Sequence, residues 1–238
     1  MKLVKRFERN EVGRDIAVAD VHGHFKKLQK ALDAIGFDPK VDRLFIAGDM
    51  VDRGPDCLDA LDWLEKANCV RGNHDNYIIQ YIKGDSGKWI NEGGVWFEPL
   101  SAQEKRRWLY YFYRLPLAIE VKTSRGTVGI IHADCVMPHW PDLMAELDGY
   151  DQLDCHRKKL IRNCCMWSRG RFELNDTTWV TGIRAVVVGH NPTNLPKVIA
   201  NVHHIDTTAG YPQARFTFID LETLQTFTAP FDYGWMMQ

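Results

Sequence analysis

The sequence has no long apolar run, and this absence excludes a membrane-spanning helix. Its longest apolar stretches are short, such as the valine-rich run 185–188 and the aromatic cluster 108–113, whereas a membrane span needs about 20 apolar residues. No apolar stretch follows the basic N-terminal residues, so we expect no signal peptide. We therefore expect no association with membranes.

The sequence also lacks any Cys-x-x-Cys pair. Its six cysteines stand at positions 57, 69, 135, 155, 164 and 165. Cys164 and Cys165 are adjacent, which suits neither a zinc knuckle nor an ordinary disulfide. Reduced thiols and the missing export signal together predict a cytoplasmic protein.

Neither sign of charge is in excess, since 30 Lys and Arg residues face 31 Asp and Glu residues and the formal net charge is −1. This balance argues against a nucleic-acid binder driven by global positive charge. Of the 238 residues, 45% are apolar and 26% are charged, as in ordinary globular proteins. The chain is long enough to bury a core without disulfides or metal, so a mainly disordered state is excluded.

Alternating strand and helix patterns in the first third predict an α/β protein. Apolar runs before polar turns predict strands at 15–19, 43–47 and 69–71, while helical spacing predicts helices at 25–35, after Pro55 and around Tyr77. Further strands are predicted at 117–122, 127–131, 185–188, 203–206, 214–220 and 224–229, the first two as a hairpin. We expect a single domain over 1–238, with two sheets packed face to face and helices outside.

Residues 133–182 carry little periodicity, and we interpret them as a substrate-shaping cap beside a site. Within this segment, Trp140, Tyr150 and the basic run 157–159 could contact a substrate. A solvated helix face is the more frequent role of such a basic run.

Polar turns directly follow five apolar strands, and they carry the candidate site. The turn residues are Asp20 and His22; Asp49, Asp52 and Arg53; Asn73, His74 and Asp75; His132; and His190. In open α/β sheets the ligand crevice lies at the carboxyl ends of strands. Carboxylate oxygens, an amide oxygen and imidazole nitrogens suit a binuclear site for manganese, iron or zinc, with no thiolate required.

Each turn also has an ordinary structural interpretation. Asp20 and His22 can grip one metal if the local chain is extended, although Asp-x-His-Gly alone is more often just a turn. Asp49 can begin a helix or bridge two cations, and Asn73 is typical of left-handed turns. A single histidine at a strand end is more often simply hydrogen-bonded. Two of them, His132 and His190, each follow a buried run, which makes that interpretation less satisfactory.

The first three of the five polar turns carry motifs that occur in a recognisable order along the chain. They read Ala-Asp-Val-His-Gly at 19–23, Gly-Asp-Met-Val-Asp-Arg-Gly at 48–54 and Gly-Asn-His-Asp at 72–75. This ordered triple resembles the phosphoprotein phosphatase family of binuclear metallophosphatases, in particular the bacteriophage lambda-type and bacterial serine/threonine protein phosphatases. Further matches at 89–97, 132–134, 167–169, 189–190 and 205–207 extend the resemblance over nearly the whole chain. It implies a calcineurin-like fold, with two packed mixed β-sheets flanked by helices in the order α-β-β-α.

The sequence departs from the family pattern at three positions. Ala19 and Thr208 stand where glycine is usual, and Asp75 replaces the commoner glutamate. None of these changes removes a ligand. We expect the methyl group of Ala19 to crowd the backbone at the first turn.

The resemblance implies two divalent metal ions, with manganese expected and iron or zinc compatible with the ligands. Carried over by position, Asp20, His22 and Asp49 would hold one ion. The bridging Asp49 would share the second ion with Asn73, His132 and His190. A hydroxide held by the metals would then attack phosphorus in line, with no phosphoenzyme.

The resemblance also implies four catalytic side chains. His74 would protonate the leaving group, and Asp52 would orient His74 and hold it cationic. Arg53 and Arg169 would each bind phosphate oxygens, because a planar guanidinium suits that bidentate task. The alternative for both arginines is a surface ion pair, which the motif argues against for Arg53.

The first functional hypothesis is a metal-dependent protein phosphatase acting on phosphoserine and phosphothreonine, with phosphotyrosine as a further candidate. Phosphoproteins or phosphopeptides would then be its partners. The second is the related symmetrical dinucleoside tetraphosphate hydrolase, which tends to lack the aspartate found here as Asp52. The third is a non-catalytic phosphoprotein-binding module, which would be expected to have lost a ligand or the acid.

Overall fold

The computed structural model describes residues 2–85, 89–207 and 215–229. Within these ranges the chain forms eleven strands and seven α-helices. The strands are β1 (Val4–Phe7), β2 (Asp15–Val18), β3 (Arg43–Ile46), β4 (Asn68–Cys69), β5 (Ala118–Thr123), β6 (Gly126–Ile130), β7 (Ala185–Val188), β8 (Lys197–Ile199), β9 (Val202–His204), β10 (Thr217–Asp220) and β11 (Thr226–Thr228). The helices are α1 (Phe25–Ala34), α2 (Ala60–Lys66), α3 (Asn73–Ile82), α4 (Ala102–Tyr113), α5 (Trp140–Asp148), α6 (Cys155–Trp167) and α7 (Gly170–Leu174).

The strands form two mixed sheets. One has six strands in the order β1-β5-β6-β7-β9-β8, and the other has five in the order β11-β10-β2-β3-β4. In the smaller sheet, β2, β3 and β4 run parallel and β10 pairs antiparallel with β2. In the larger sheet, β6, β7 and β9 run parallel. The carboxyl ends of the two parallel sets carry the loops described below.

Strand alternation builds three apolar layers. In β2, Ile16 and Val18 face the core under α1 to α4, whereas Ala17 faces the core between the sheets. In β7, Val186 and Val188 face the core under α5 and α6, and Val187 faces inward. Because successive side chains of a strand point to opposite faces, each of these strands contributes side chains to two apolar layers. The result is the predicted α-β-β-α order.

The observed elements agree with most sequence predictions and differ from several. The hairpin of β5 and β6 is antiparallel as predicted, while β4 is shorter than expected. The helix expected after Pro55 begins as a 3-10 turn and becomes α-helical only at Ala60. Strands β1 and β8 and helix α4 were not predicted, because short edge strands and an aromatic-rich helix carry weak periodicity.

The segment 133–182 has more regular structure than its pattern indicated, since α5, α6 and α7 all lie within it. Its proposed substrate contacts Trp140 and Tyr150 are wrong. Trp140 is 1% exposed and donates from Nε1 to Glu120, and Tyr150 is 7% exposed. Both rings belong to the core beneath the larger sheet, where apolar burial accounts for them.

Two sequence predictions concern residues outside the described ranges, namely Thr208 and the first residue, Ala214, of the strand predicted at 214–220. In the described part of the chain, every helix is too short or too polar to span a lipid bilayer.

Candidate active site

The five polar turns meet at one edge of the two-sheet sandwich. The loops after β2, β3 and β4 come from the smaller sheet, and those after β6 and β7 come from the larger. All ten predicted site residues lie in one continuous network of contacts at this edge. The strand-end argument predicted this convergence for nine of them, since parallel strands end at a common edge. Arg169 follows helix α6 and was expected here only from the family resemblance.

The backbone at this edge is unusually strained. Six non-glycine residues here have φ between 42° and 75°, namely Asp20, His22, Asp49, Asp52, Arg53 and His190. Such left-handed conformations cost of order 1–3 kcal/mol each and persist where surrounding structure enforces them. Hydrogen bonds between loops provide that enforcement: the amide N–H groups of His22 and Gly23 donate to the carbonyls of Asp49 and Met50, both at 2.8 Å.

This geometry corrects the expectation for Asp20 and His22. Their side chains do approach, with 3.9 Å between Asp20 Oδ2 and His22 Nε2. The local chain is not extended, however, because both residues are left-handed. Asp20 is also held from the other sheet, since Oδ1 accepts the amide N–H of His190 at 3.0 Å.

Three buried histidines each hold one ring nitrogen against a backbone carbonyl. His22 Nδ1 lies 2.9 Å from the Val51 carbonyl, His132 Nδ1 lies 2.7 Å from that of Ala47, and His190 Nε2 lies 3.2 Å from that of Trp167. A carbonyl accepts only from a protonated nitrogen, so the other nitrogen of each neutral ring keeps its lone pair. This is the usual outer arrangement of metal-binding histidines.

Burial keeps these imidazoles neutral. It lowers the pKa of His22 well below its usual value and also lowers the pKa of His132. Burial, with His132 and Arg169 nearby, lowers the pKa of His190 to about 3. Neutral imidazole is the form that binds a metal, so these rings can act as ligands over the physiological range.

Asp49 lies at the centre of the cluster. Among the described residues, the potential ligand atoms of His22, Asp49 and His74 lie within 4.8 Å of one another, as do those of Asp49, His132 and His190. The carboxylate Oδ2 is 3.7 Å from His22 Nε2 and 3.4 Å from His132 Nε2. Asp49 is therefore common to both halves of the cluster.

Asn73 is the first residue of α3, and its interpretation as a left-handed turn residue is wrong. Its amide Oδ1 lies 2.8 Å from His132 Nε2. In the neutral ring Nδ1 carries the proton and donates it to the Ala47 carbonyl, so Nε2 has a lone pair. The lone pairs of His132 Nε2 and Asn73 Oδ1 therefore point at each other. A cation between them would relieve this contact.

The carboxylates of the cluster also indicate a cation at this site. Burial, Asp206 and Asp49 raise the pKa of Asp20 well above its usual value. Buried like charges of this kind need a counter-charge, so the oxygen and nitrogen donors here fit a pair of divalent cations.

His74 belongs to a different arrangement. Its Nδ1 lies 2.7 Å from Asp52 Oδ2, which fixes the ring and leaves Nε2 exposed to the cluster. Two tryptophans hold the carboxylate, as Trp89 and Trp96 donate from Nε1 to Oδ2 and Oδ1, both at 2.8 Å. Burial opposes the cation, but the carboxylates of Asp49 and Asp52 outweigh it and raise the pKa of His74.

The two predicted arginines, Arg53 and Arg169, have surroundings that differ from those of the nearby Arg171. Arg53 lies with one terminal nitrogen 3.3 Å from His74 Nε2, and Arg169 donates to the His190 carbonyl and to Asn191 Oδ1, both at 2.9 Å. Arg171 is 4% exposed and is occupied by Asp134 and by the carbonyls of Asp176 and Thr178. Arg171 is thus structural, whereas Arg53 and Arg169 keep donors near the cluster.

Sequence reasoning missed the contribution of three side chains. Asp75 accepts three backbone N–H groups, from Asp49 at 3.0 Å, Met50 at 2.9 Å and Gly72 at 2.9 Å. It thereby ties the loop after β3 to the start of α3. Trp89 and Trp96, the other two, matched the family by position, but nothing in the sequence showed that their indoles reach Asp52.

Ala19 is accommodated without displacing the first turn. It is 2% exposed and packs in the core between the sheets. A Cβ added at Gly189 would lie 2.9 Å from the Ala19 methyl and 1.9 Å from Asp20 Oδ1. The glycine on the neighbouring loop therefore provides the space that Ala19 takes, and the expected crowding is relieved there.

Residues 16–218 match the family model for calcineurin-like phosphoesterases. The chain belongs to this family, as the fold and the loop cluster indicated. It is a metallophosphoesterase, a hydrolase of a family that uses a binuclear divalent metal centre.

Its relatives include bacterial protein phosphatases, as the sequence motifs predicted. Serine/threonine-protein phosphatase 2 of Escherichia coli (strain K12) is 37% identical over 215 residues, which cover 86% of this chain and 91% of that protein. The symmetrical bis(5'-nucleosyl)-tetraphosphatase of Aromatoleum aromaticum is 31% identical over 129 residues, covering 52% of this chain and 45% of that enzyme.

A solved structure provisionally named a diadenosine tetraphosphatase has the same fold. It matches with a TM-score of 0.65 over 98% of this chain and 100% of its own, at 19% identity. At that identity the likeness concerns the fold alone.

Proposed function

We propose that this protein is a metal-dependent protein phosphatase that hydrolyses phosphoserine and phosphothreonine monoesters. The observation that carries the proposal is the buried Asp52–His74 pair, held by two indole N–H groups. Alkoxide leaving groups need a proton, and this pair holds an imidazole where it can supply one. Phosphotyrosine, with its better leaving group, is a further candidate substrate.

Two divalent ions, most suitably manganese, would activate water and bind phosphoryl oxygens at this site. We assign Asp20, His22 and Asp49 to one ion. We assign Asp49, Asn73, His132 and His190 to the other, with Asp49 shared between them. The neutral tautomers imposed by the Val51, Ala47 and Trp167 carbonyls support these assignments.

His74 then acts as the general acid from Nε2. In the structure Arg53 donates toward that atom at 3.3 Å, an arrangement that requires a neutral ring with its proton on Nδ1. For acid catalysis the ring carries protons on both nitrogens, so the Arg53 guanidinium must turn away. A phosphoryl group arriving beside it offers oxygens as the new partners of Arg53.

Arg169 is placed to bind the phosphoryl group from the opposite side. One of its terminal nitrogens is anchored on the His190 carbonyl and on Asn191. The guanidinium has five N–H donors, so anchoring one nitrogen leaves others for phosphate oxygens. We infer that the anchor orients the arginine, while His190 itself faces the metal site.

The alternative function is symmetrical hydrolysis of a dinucleoside tetraphosphate. The relative from Aromatoleum aromaticum supports it, since that enzyme is 31% identical over about half of this chain. The protein phosphatase proposal has support along more of the sequence, because the Escherichia coli relative matches over 86% of this chain. Asp52 also favours the protein phosphatase.

The deciding experiment compares two substrates on one preparation. Chelator-treated protein is supplied with manganese, and phosphate release from a phosphoserine peptide is compared with hydrolysis of diadenosine tetraphosphate. We expect a higher kcat/KM for the peptide, dependent on added metal. A higher kcat/KM for the dinucleotide would overturn the proposal.

A further inference from the structure

A groove lies beside the candidate site, between α3 and α6. Its lining consists of Gln80 on α3 and of Asn163, Cys164, Trp167 and Ser168 at the end of α6. None of these side chains has a role in the proposed hydrolysis. The groove is open to solvent, so a chain longer than the phosphoryl group can enter and leave it.

Trp167 contacts residues of the site as well as lining the groove. The backbone carbonyl of Trp167 faces His190 Nε2 at 3.2 Å, and its ring meets Tyr77 edge-on at 5.4 Å between centroids. Tyr77 in turn meets the His74 ring at 5.6 Å. The Trp167 ring is thus two ring contacts away from His74, within reach of a peptide chain that extends from a phosphoryl group at that histidine.

The groove lies where the helices that cover the smaller sheet meet those that cover the larger sheet, and Trp167 stands at this boundary. The ring is half-buried and packs against the core beneath the smaller sheet and against the core beneath the larger one. Helix α3 belongs to the first layer and α6 to the second. Two rigid elements thus form the walls, and rigid walls support specificity.

The chemistry of the lining matches a peptide backbone. Gln80 and Asn163 each carry an amide with donors and an acceptor, and neither side chain hydrogen-bonds within the described part of the chain. A peptide bond offers one N–H and one carbonyl, which such amides can pair in either direction. Trp167 adds an apolar surface for a substrate side chain.

The same lining suits a dinucleoside tetraphosphate less well. Such a substrate brings several negative charges beyond the reacting phosphate, and extended phosphate chains are bound mainly by Lys, Arg or metal ions. Of the described residues that line the groove, none carries a positive charge.

We infer that this groove binds the peptide segment on one side of the phosphorylated residue, with Gln80 and Asn163 hydrogen-bonding its backbone and Trp167 contacting one of its side chains. The inference rests on the proposed protein phosphatase activity and makes these residues determinants of substrate specificity.

The test uses full-length protein with manganese and a phosphoserine peptide series extended residue by residue on either side. For the unaltered protein, extension on one side should lower KM until the groove is filled. In the double variant Gln80→Ala/Asn163→Ala we expect this gain to disappear, with KM for the longest peptide raised about tenfold and kcat little changed. A tenfold change corresponds to about 1.4 kcal/mol.

Two controls separate binding from damage to the fold. The double variant should hydrolyse p-nitrophenyl phosphate with unchanged kcat and KM, since that substrate has no peptide segment. Gln103→Ala, which truncates an exposed glutamine on α4, should leave the peptide series unchanged.

The outcomes distinguish the two proposals. If peptides are hydrolysed and the double variant keeps the full length dependence, the groove inference is wrong and the proposed function stands. If the unaltered protein hydrolyses diadenosine tetraphosphate and not peptides, the proposed function is wrong. In that case a raised KM of the double variant for the dinucleotide would assign the groove to a nucleoside, which also overturns the peptide inference.

Discussion

At the scale of single residues, the site depends on side chains whose partners set their state. Val51, Ala47 and Trp167 contribute only carbonyls, yet these carbonyls determine which nitrogen of three histidines is free. Asp52 is fully buried and has three hydrogen-bond partners. Its charge is therefore stabilised in a place where an unpaired carboxylate would be costly.

The role proposed for His74 predicts a dependence on the leaving group. His74→Asn should lower kcat on a phosphoserine peptide about 10²- to 10⁴-fold, the usual contribution of general acid catalysis. The loss on p-nitrophenyl phosphate should be much smaller, because its phenolate leaves without a proton. Steady-state kinetics on both substrates measure this, with metal content and Tm as controls. An equal loss on the two substrates would contradict the acid role.

At the scale of elements, the turns are connected by groups that touch no predicted substrate atom. Asp75, near the start of α3, accepts three N–H groups from two loops and so fixes the backbone that carries Asp49. The short helix α7 begins beside Arg169 and is held by Arg171, two residues on. Buried polar groups outside the site, such as these, hold the loops that carry the site residues in position.

Asp75→Asn tests the first support. The variant presents an amide N–H where a backbone N–H now donates, so the loop carrying Asp49 should shift. We expect manganese affinity of the chelator-treated protein to fall about 10- to 100-fold, as is typical when an outer partner of a metal site is lost. Calorimetric titration measures it. Asp75→Glu, which keeps the carboxylate, should lose less, and an Asn variant with unaltered affinity would refute the role.

The second support is the buried ion pair between Arg171 and Asp134, whose atoms are 3.0 Å apart. Arg171→Ala leaves Asp134 buried and unpaired, so the free energy of unfolding should fall by about 3–5 kcal/mol. Urea unfolding measures this, and Arg125→Ala in the exposed β5–β6 turn is the matched control, expected within about 0.5 kcal/mol of the unaltered protein. A loss as small as that control's would show that the pair contributes little.

At the scale of the whole molecule, the α-β-β-α arrangement brings together residues far apart in sequence. The hydrogen bond from His190 to Asp20 spans 170 positions, and it joins one sheet to the other. The core between the sheets is largely apolar, and the buried polar groups of the site lie at its edge. Stability and site geometry are therefore properties of the same packed sandwich.

Acid stability offers a test at this scale. Burial disfavours the charge of Asp42, but its hydrogen bonds with Arg14 prevail and lower the pKa of Asp42. A carboxyl with a lowered folded-state pKa stabilises the protein above its unfolded pKa, and this contribution is lost as pH falls through the folded value. Asp42→Asn should therefore destabilise the protein at pH 7, and the difference should shrink toward pH 3.

Urea unfolding of both proteins over that pH range measures the difference directly. Carboxylates at the metal site titrate in both proteins, so their contributions cancel when the two curves are subtracted. A difference that stays constant from pH 7 to pH 3 would show that Arg14 and Asp42 stabilise the protein through packing and not through charge.

The sequence by itself determined the strand-and-turn order, the fold class and nine of the ten candidate site residues, because those nine stand in local motifs that directly follow apolar strands. It could not place Trp89 and Trp96 on Asp52, separate Arg169 from Arg171, or show how Gly189 makes room for Ala19. Those relations join segments far apart in the chain. Only the packing of two sheets against each other decides which side chains meet, which nitrogens stay free and where the groove between α3 and α6 opens.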